Sequence, residues 1–164
     1  MPEKGKRTER LIFEISKCGK ERWNFYKKYH YLNDNLATNS HCFEITLKGK
    51  AVGFLAIRKF MHPVAKNIQM ISRIVIIPEF QGFGLALKFM NIISMIYKSS
   101  GEQIRIVTSL KPFIKALKKS SNWKLERFGR VANSRKNAEL KQKSISYDRI
   151  TASFLFKGVE NGPT

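Results

Sequence analysis

Hydrophobic and polar residues alternate along several short stretches of the chain, and this two-residue period is typical of strands with one buried face. The period predicts a first strand over 11–16, and two β-patterned runs around the turn Lys48-Gly49-Lys50 predict a hairpin. Mostly apolar runs predict two core strands, at 68–77 and 104–109. The stretches NWKLERFGR and 147–156 predict the last two strands.

Three stretches between these strands are typical of helices. Aromatic residues at nearly helical spacing predict a helix over 20–30, and Pro112 is well placed to begin a short helix that ends near Lys119. The stretch 84–98 is apolar on nearly every face, which predicts a central helix packed on more than one side. The order β-α-β-β-β-α-β-α-β-β therefore predicts an α/β (mixed α+β) fold with a twisted mixed sheet of about seven strands.

The length of 164 residues suits one domain, which we place at 11–157. Residues 1–10 predict a flexible basic arm, 131–146 a mobile basic loop and 158–164 a flexible tail. No stretch reaches the roughly 20 apolar residues of a membrane span, and no signal-peptide core follows the basic start, so we expect a cytoplasmic protein without membrane contact. Cys18 and Cys42 form no CxxC pair and the histidines have no ligand spacing, so we expect no metal.

The net charge is the compositional feature that says most about function. Lys and Arg number 31 against 12 Asp and Glu, which gives a formal net charge of +19. Such a field attracts polyanions, so we expect a nucleic-acid partner, DNA before tRNA. A merely soluble basic surface, or affinity for an anionic membrane, is the alternative. The sequence does not decide the oligomeric state, and a homodimer is one option.

A glycine-rich turn joins the apolar strand near residue 77 to the apolar helix, in the letters QGFGLA. A strand, a glycine-rich turn and a helix N-terminus in that order can bind a phosphate. The Walker A pattern fails because Gly82 is followed by Gly84 and because Phe89 follows Lys88. The dinucleotide fingerprint fails because Leu87 stands where its third glycine should be.

A third pattern, Gln/Arg-x-x-Gly-x-Gly/Ala, fits at Gln81, Gly84 and Ala86. In this the chain resembles the GNAT (Gcn5-related N-acetyltransferase) superfamily, whose element order is also similar over about 11–156. The resemblance implies a GNAT fold with its fourth and fifth strands splayed apart, and an acyltransferase that uses acetyl-CoA or another acyl-CoA. It places the cofactor along Ile74, Val75, Ile76, Gln81, Gly82, Phe83, Gly84, Leu85, Ala86 and Ser109.

Three shorter motifs resemble a phage-associated GNAT branch, the Mom-type DNA-modification proteins. These motifs are the pair His30-Tyr31, the pair Ser72-Arg73 and the run that contains Arg149, Thr151 and Ser153. The resemblance implies an adenine amine in DNA as the acceptor, with catalytic residues His30, Tyr31, Ser72 and Arg73. The amine is a poor nucleophile, so a proton acceptor such as His30 and close positioning are both needed. We expect nucleic-acid contacts at Lys27, Lys28, Lys118, Lys119, Arg130 and Arg149.

Several alternatives stay open. His30 can be a helix C-terminal residue, Ser72 and Arg73 a satisfied pair on a strand, and the aromatic residues Trp23, Phe25 and Tyr29 a part of the core. Many GNAT members carry a tyrosine acid after the fifth strand, and here that region offers only Ser120, Ser121 and Asn122. The rival functions are an acetyltransferase toxin acting on aminoacyl-tRNA and a non-catalytic nucleic-acid-binding module.

Overall fold

The computed structural model describes residues 10–30, 35–129 and 150–158, and the descriptions below concern these. Within them, seven strands form one sheet in the order β1-β2-β3-β4-β5-β7-β6. All neighbours are antiparallel except β4 and β5, which are parallel, so the predicted mixed sheet is confirmed. The strands are β1 (Phe13–Cys18), β2 (Ser40–Leu47), β3 (Lys50–Lys59), β4 (Ile68–Ile76), β5 (Gln103–Thr108), β6 (Trp123–Gly129) and β7 (Thr151–Phe156).

Helices cover the two faces of this sheet unequally. On one face, α2 (Leu85–Ser99) and α3 (Lys111–Lys119) pack on a core that includes Leu55 and Ile57 of β3. On the other face, α1 (Trp23–Tyr26), continued by 3-10 turns at Lys20–Arg22 and Lys27–Tyr29, packs on Phe54 and Ala56. Because α1 is so short, it covers only the β2–β4 part of its face. The described residues leave the same face of β5, β7 and β6 open.

Three features differ from the sequence prediction. The first strand begins at Phe13 rather than at residue 11, because its partner Leu47 is the last residue of β2. The predicted helix over 20–30 is one α-helical turn between two 3-10 turns. The central helix packs on one side only, since Ile92, Met95 and Ile96 are between 40% and 54% exposed. The prediction of several packed sides was therefore wrong. These apolar side chains lie on the outer face of the helix, and no element among the described residues covers them.

The described residues contain no helix long and apolar enough to cross a membrane. Nor does any group of three or more His, Cys, Asp or Glu side chains within that part of the chain come together as a metal site. The predicted arm, mobile loop and tail at 1–10, 131–146 and 158–164 lie outside the described residues, apart from Arg10 and Gly158.

Candidate active site at the β4–β5 cleft

A cleft opens where β4 and β5 separate. The two strands pair only from Ile68 with Gln103 to Ile71 with Ile106. Beyond that point Val107 and Thr108 pair with β7 alone, while the β4 residues 73–76 pair with β3 alone. Among the described residues, the facing edges of the two strands therefore have no partners in the ladder, as the resemblance to GNAT proteins implied.

A β-bulge in β4 lies next to the point where the two strands separate. Ala56 of β3 is the partner of Arg73, whereas the next residue, Ile57, is the partner of Ile71. Ser72 is thus the extra residue on β4, and its hydroxyl donates a 3.3 Å hydrogen bond to the carbonyl of Ala56. Bulges bend a strand and redirect its side chains. Here the bend lies one residue past the last β4–β5 pair.

The glycine-rich turn lies at the end of β4. Pro78–Phe80 forms a 3-10 turn, and Gly82 and Gly84 follow with φ angles of +87° and +71°, which favour glycine strongly. A Cβ atom added at either glycine would meet no heavy atom within 4 Å, so the space beside the turn is open. Gly84 is the N-cap of α2, whose backbone N–H groups and helix dipole therefore face this space and favour an anion.

A cavity of about 450 Å³ joins the turn to the cleft. Ile74 and Ile76 line it from β4, and Leu110, Phe113 and Ala116 line it from the α3 side. The lining is mostly apolar in the cleft and glycine-rich at the helix N-terminus. This combination suits a ligand with an extended apolar arm and a pyrophosphate, so the residues present fit an acyl-CoA.

Seven of the predicted cofactor residues line this cavity: Ile74, Ile76, Gln81, Gly82, Gly84, Leu85 and Ala86. The structure places three others elsewhere. Val75 is buried on the opposite face of β4, in the cluster that contains Trp23; Phe83 is 71% exposed at the tip of the turn; and Ser109 lies beside Lys118 and Lys119 at a separate hollow. No sequence motif indicated Phe113 and Ala116, which α3 brings to the cavity.

A smaller cavity of about 60 Å³ adjoins the first at the bottom of the cleft, where both are lined by Ile74, Leu110 and Phe113. His30, Ser72 and Arg73 line it together, so three of the four predicted catalytic residues meet here. The fourth, Tyr31, lies outside the described residues.

Contacts with neighbouring groups hold these side chains in place. The His30 ring lies edge-on to Trp23, with a centroid distance of 5.4 Å, and the Arg73 guanidinium lies 5.8 Å from the Trp23 ring. Arg73 also donates hydrogen bonds of 2.7 Å to the Ser72 carbonyl and 2.5 Å to the Asn35 carbonyl. Trp23 itself is buried, which agrees with the alternative that it belongs to the core. The buried indole therefore positions both His30 and Arg73.

A buried polar cluster fixes the α1 segment that carries Trp23. Glu44 of β2 is buried, accepts a 2.6 Å hydrogen bond from the Tyr26 hydroxyl and forms an ion pair with Arg22. Burial, followed by the hydrogen bond to Glu44, raises the pKa of Tyr26 well above its usual value. The phenol therefore stays protonated and keeps its hydrogen bond. A buried carboxylate without such partners would be costly, so this cluster determines where α1 docks.

Of the described residues that line the two cavities, none is a tyrosine. Ser120, Ser121 and Asn122 line neither cavity, because α3 carries them past the cleft. Thr108 does line the smaller cavity; its Oγ1 accepts a 3.2 Å hydrogen bond from the Leu110 N–H. Its hydroxyl proton can then be donated elsewhere. No sequence motif indicated Thr108 as a residue of the site.

The four predicted nucleic-acid residues that the structure describes do not form one surface. Lys27 and Lys28 follow α1 on one face, whereas Lys118 and Lys119 end α3 on the other. The Lys28 ammonium lies 5.2 Å and 4.9 Å from the rings of Phe25 and Tyr29, which are partly exposed rather than core residues. Arg130 and Arg149 lie outside the described residues.

Comparison with known proteins agrees with this geometry. The sequence model of the Acetyltransferase (GNAT) family matches residues 8–111. The chain is similar in structure to the ribosomal-protein-S18-alanine N-acetyltransferase from Escherichia coli, with a TM-score of 0.64 and 12% identity over 93% of this chain and 100% of that one. No curated protein sequence matches significantly.

Two further similar structures come from other bacteria. A GNAT acetyltransferase from Elizabethkingia anophelis with acetyl-CoA bound has a TM-score of 0.61 and 11% identity, over 88% of this chain and 97% of that one. The IAA acetyltransferase from Bacillus cereus has a TM-score of 0.62 and 13% identity, over 88% and 99%. At these identities the likeness establishes a common fold.

Proposed function

The chain belongs to the GNAT acetyltransferase family and is an acetyl-CoA-dependent N-acyltransferase, and we propose that its acceptor is a nucleic-acid amine, the exocyclic amine of adenine in DNA. The observation that carries the proposal is the meeting of His30, Ser72 and Arg73 in a small cavity at the bottom of the cleft. These residues come from two distant parts of the chain, and both motifs resemble those of Mom-type proteins.

The donor side uses the glycine-rich turn and the cleft. The backbone of residues 81–86 and the N-terminus of α2 would hold the pyrophosphate, and Ile74, Ile76 and Phe113 would enclose the apolar arm. When bound, acetyl-CoA would supply an acetyl group activated as a thioester; the C–S bond breaks as the new N–C bond forms, and CoA leaves as its thiol.

The acceptor side uses the smaller cavity. An adenine amine placed there loses a proton as it is acylated, and the imidazole of His30, which lines this cavity, is the proposed acceptor of that proton. The edge-on contact with Trp23 helps to orient the ring. The guanidinium of Arg73, fixed by two carbonyls, provides positive charge beside the site, and the hydroxyl of Thr108 can donate a hydrogen bond into it.

The overall charge supports a polyanionic acceptor. A net charge of +19 speeds encounter with DNA and opposes binding of basic peptides. A base inside a duplex is inaccessible, so the proposal requires an extruded or unpaired adenine.

Expression in bacteria followed by mass spectrometry of digested nucleic acids tests the proposal. We expect an acetylated deoxyadenosine in DNA that is absent when Gly84→Asp blocks the donor site. Acetylated aminoacyl-tRNA with unmodified DNA would replace the proposal with the toxin function. Unmodified nucleic acids together with intact DNA binding would refute catalysis on DNA and favour a binding module.

A further inference from the structure

Three adjoining hollows form one groove across the open face of the sheet. The cavity of His30, Ser72 and Arg73 shares Ser72, Arg73 and Val107 with a hollow of about 580 Å³. That hollow shares Met70 and Val107 with a third, of about 540 Å³, which extends to Arg127 on β6. The groove therefore leads from the cleft across β4, β5 and β7 to the edge strand.

The strand register sets cations at regular intervals along this groove. Arg58 of β3 is the partner of Met70, Met70 is the partner of Arg105, and Arg105 faces Leu155 of β7. Lys124 of β6 is the next partner in the same row. Adjacent strands lie roughly 4.8 Å apart, so the backbones of Arg58, Arg105 and Lys124 follow one another at roughly 10 Å.

A second row lies two residues further along the strands. Val107, Ser153 and Arg127 are partners across β5, β7 and β6. This row begins beside Ser72, since Val107 and Ser72 line the same hollow. It thus connects the proposed acceptor position with Arg127.

The groove is strongly cationic. Of the described residues that line its three hollows, four are arginines and none is Asp or Glu: Arg58, Arg73, Arg105 and Arg127. Arg58 and Arg127 make no ion pair within the described chain. Arg105 is held at 2.7 Å by Glu126, which lies beside the groove. Planar guanidinium groups are well suited to bind phosphates with two hydrogen bonds.

Apolar and aromatic side chains on the floor and one wall of the groove form surfaces on which nucleic-acid bases can stack. Met70 and Val107 form an apolar floor, and Val107 is 49% exposed. Phe60 and His62 line the wall with ring centroids 6.3 Å apart. His62 Nδ1 accepts hydrogen bonds from the N–H groups of Val64 and Ala65, which orients the ring with Nε2 as a donor toward other partners. Bases stack on such rings without strong sequence preference.

We propose that this groove, defined by Arg58, Arg73, Arg105 and Arg127, binds a single-stranded segment of nucleic acid whose target base enters the small cavity. The inference rests on the proposed function for the identity of that base, but not for the groove. An acidic peptide fits less well, because extended peptides gain affinity by pairing with a strand edge. Away from the cleft, where Met70 pairs with Arg105 and Ser153 pairs with Arg127, the groove instead lies over strands whose backbone groups are already paired. In a duplex, the bases would not reach the apolar floor.

Fluorescence anisotropy with a labelled single-stranded DNA of about 12 nucleotides tests the groove without acetyl-CoA. We compare the double variant Arg58→Gln/Arg127→Gln with the control Lys48→Gln/Lys50→Gln, which removes the same charge at the distant β2–β3 turn. We expect the arginine variant to bind roughly tenfold or more weakly, and the slope of log affinity against log salt to fall by about 1.4. Circular dichroism confirms that both variants are folded.

Equal losses in the arginine and lysine variants would overturn the groove. The groove would also be overturned if polyglutamate displaced the labelled strand from the wild-type protein as well as unlabelled DNA does. A duplex that binds as tightly as the single strand would overturn it too. The proposed function fails separately. DNA that binds in the groove but is never acetylated refutes the function alone, whereas DNA acetylated with an unchanged KM in the arginine variant refutes the groove alone.

Discussion

The side-chain amide of Gln81 donates a 2.7 Å hydrogen bond to the backbone carbonyl of Ile76. This bond ties the glycine-rich turn to the end of β4, and both residues line the larger cavity. A turn held in this way keeps its N–H groups directed at the space where an anion binds. The shape of the donor site is thus determined partly by one side chain.

Gln81→Ala should weaken the binding of acetyl-CoA, because the turn is then no longer held in its binding conformation. Ordering the turn on binding would cost about 1 kcal/mol, the value of the lost hydrogen bond, so we expect Kd to rise roughly fivefold. Isothermal titration calorimetry measures Kd, and thermal unfolding checks the fold. An unchanged Kd would show that the turn holds its shape without Gln81.

A pair of substitutions at Gly84 separates charge from backbone strain. Asn and Asp tolerate a left-handed backbone about equally, but only Asp adds a negative charge at the N-terminus of α2. We expect Gly84→Asn to weaken CoA binding modestly and Gly84→Asp to weaken it at least roughly tenfold further. Equal effects in calorimetry would contradict anion binding at this turn.

His30→Gln should lower kcat while leaving the Kd for acetyl-CoA nearly unchanged. Loss of a proton acceptor costs roughly 100-fold or more in rate. Steady-state kinetics with an adenine-containing oligonucleotide measure kcat, and calorimetry measures the Kd for acetyl-CoA. An unchanged kcat in His30→Gln would show that another group accepts the proton.

Glu126→Gln should strengthen the binding of single-stranded DNA. The substitution releases Arg105 from its 2.7 Å ion pair and removes a negative charge beside the groove. We expect affinity to rise roughly threefold or more and the salt slope to steepen by about 0.7, as one more phosphate contact predicts. Glu14→Gln makes the same charge change on β1, at the opposite edge of the sheet, and should alter affinity much less.

The donor site was largely predictable from sequence because its key part is contiguous. Six neighbouring residues form the turn, and the positive φ angles of Gly82 and Gly84 explain why glycine stands there. Errors arose where the direction of a side chain depends on tertiary structure. Val75 lies in an apolar run that is buried on both faces of the strand. The sequence of such a run does not show which face each residue occupies, so it does not predict that Val75 lies in the cluster that contains Trp23.

The acceptor side was only partly predictable. The motifs identified His30, Ser72 and Arg73 as candidates. That the three line one cavity depends on the bulge at Ser72 and on the docking of α1. The cationic groove was beyond prediction, because Arg58, Arg105 and Arg127 become neighbours only through the order β3-β4-β5-β7-β6. Among 31 basic residues, sequence alone cannot single out these three.

Transfer of radiolabelled acetyl groups from acetyl-CoA to synthetic single-stranded DNA tests the central claim most directly. Two oligonucleotides are compared, one with a single adenine and one in which purine, which lacks the exocyclic amine, replaces that adenine. We expect label on the adenine strand, none on the purine strand, and none on either with the Gly84→Asp variant. Equal labelling of both strands, or none on either with active wild-type protein, would contradict an adenine amine as the acceptor.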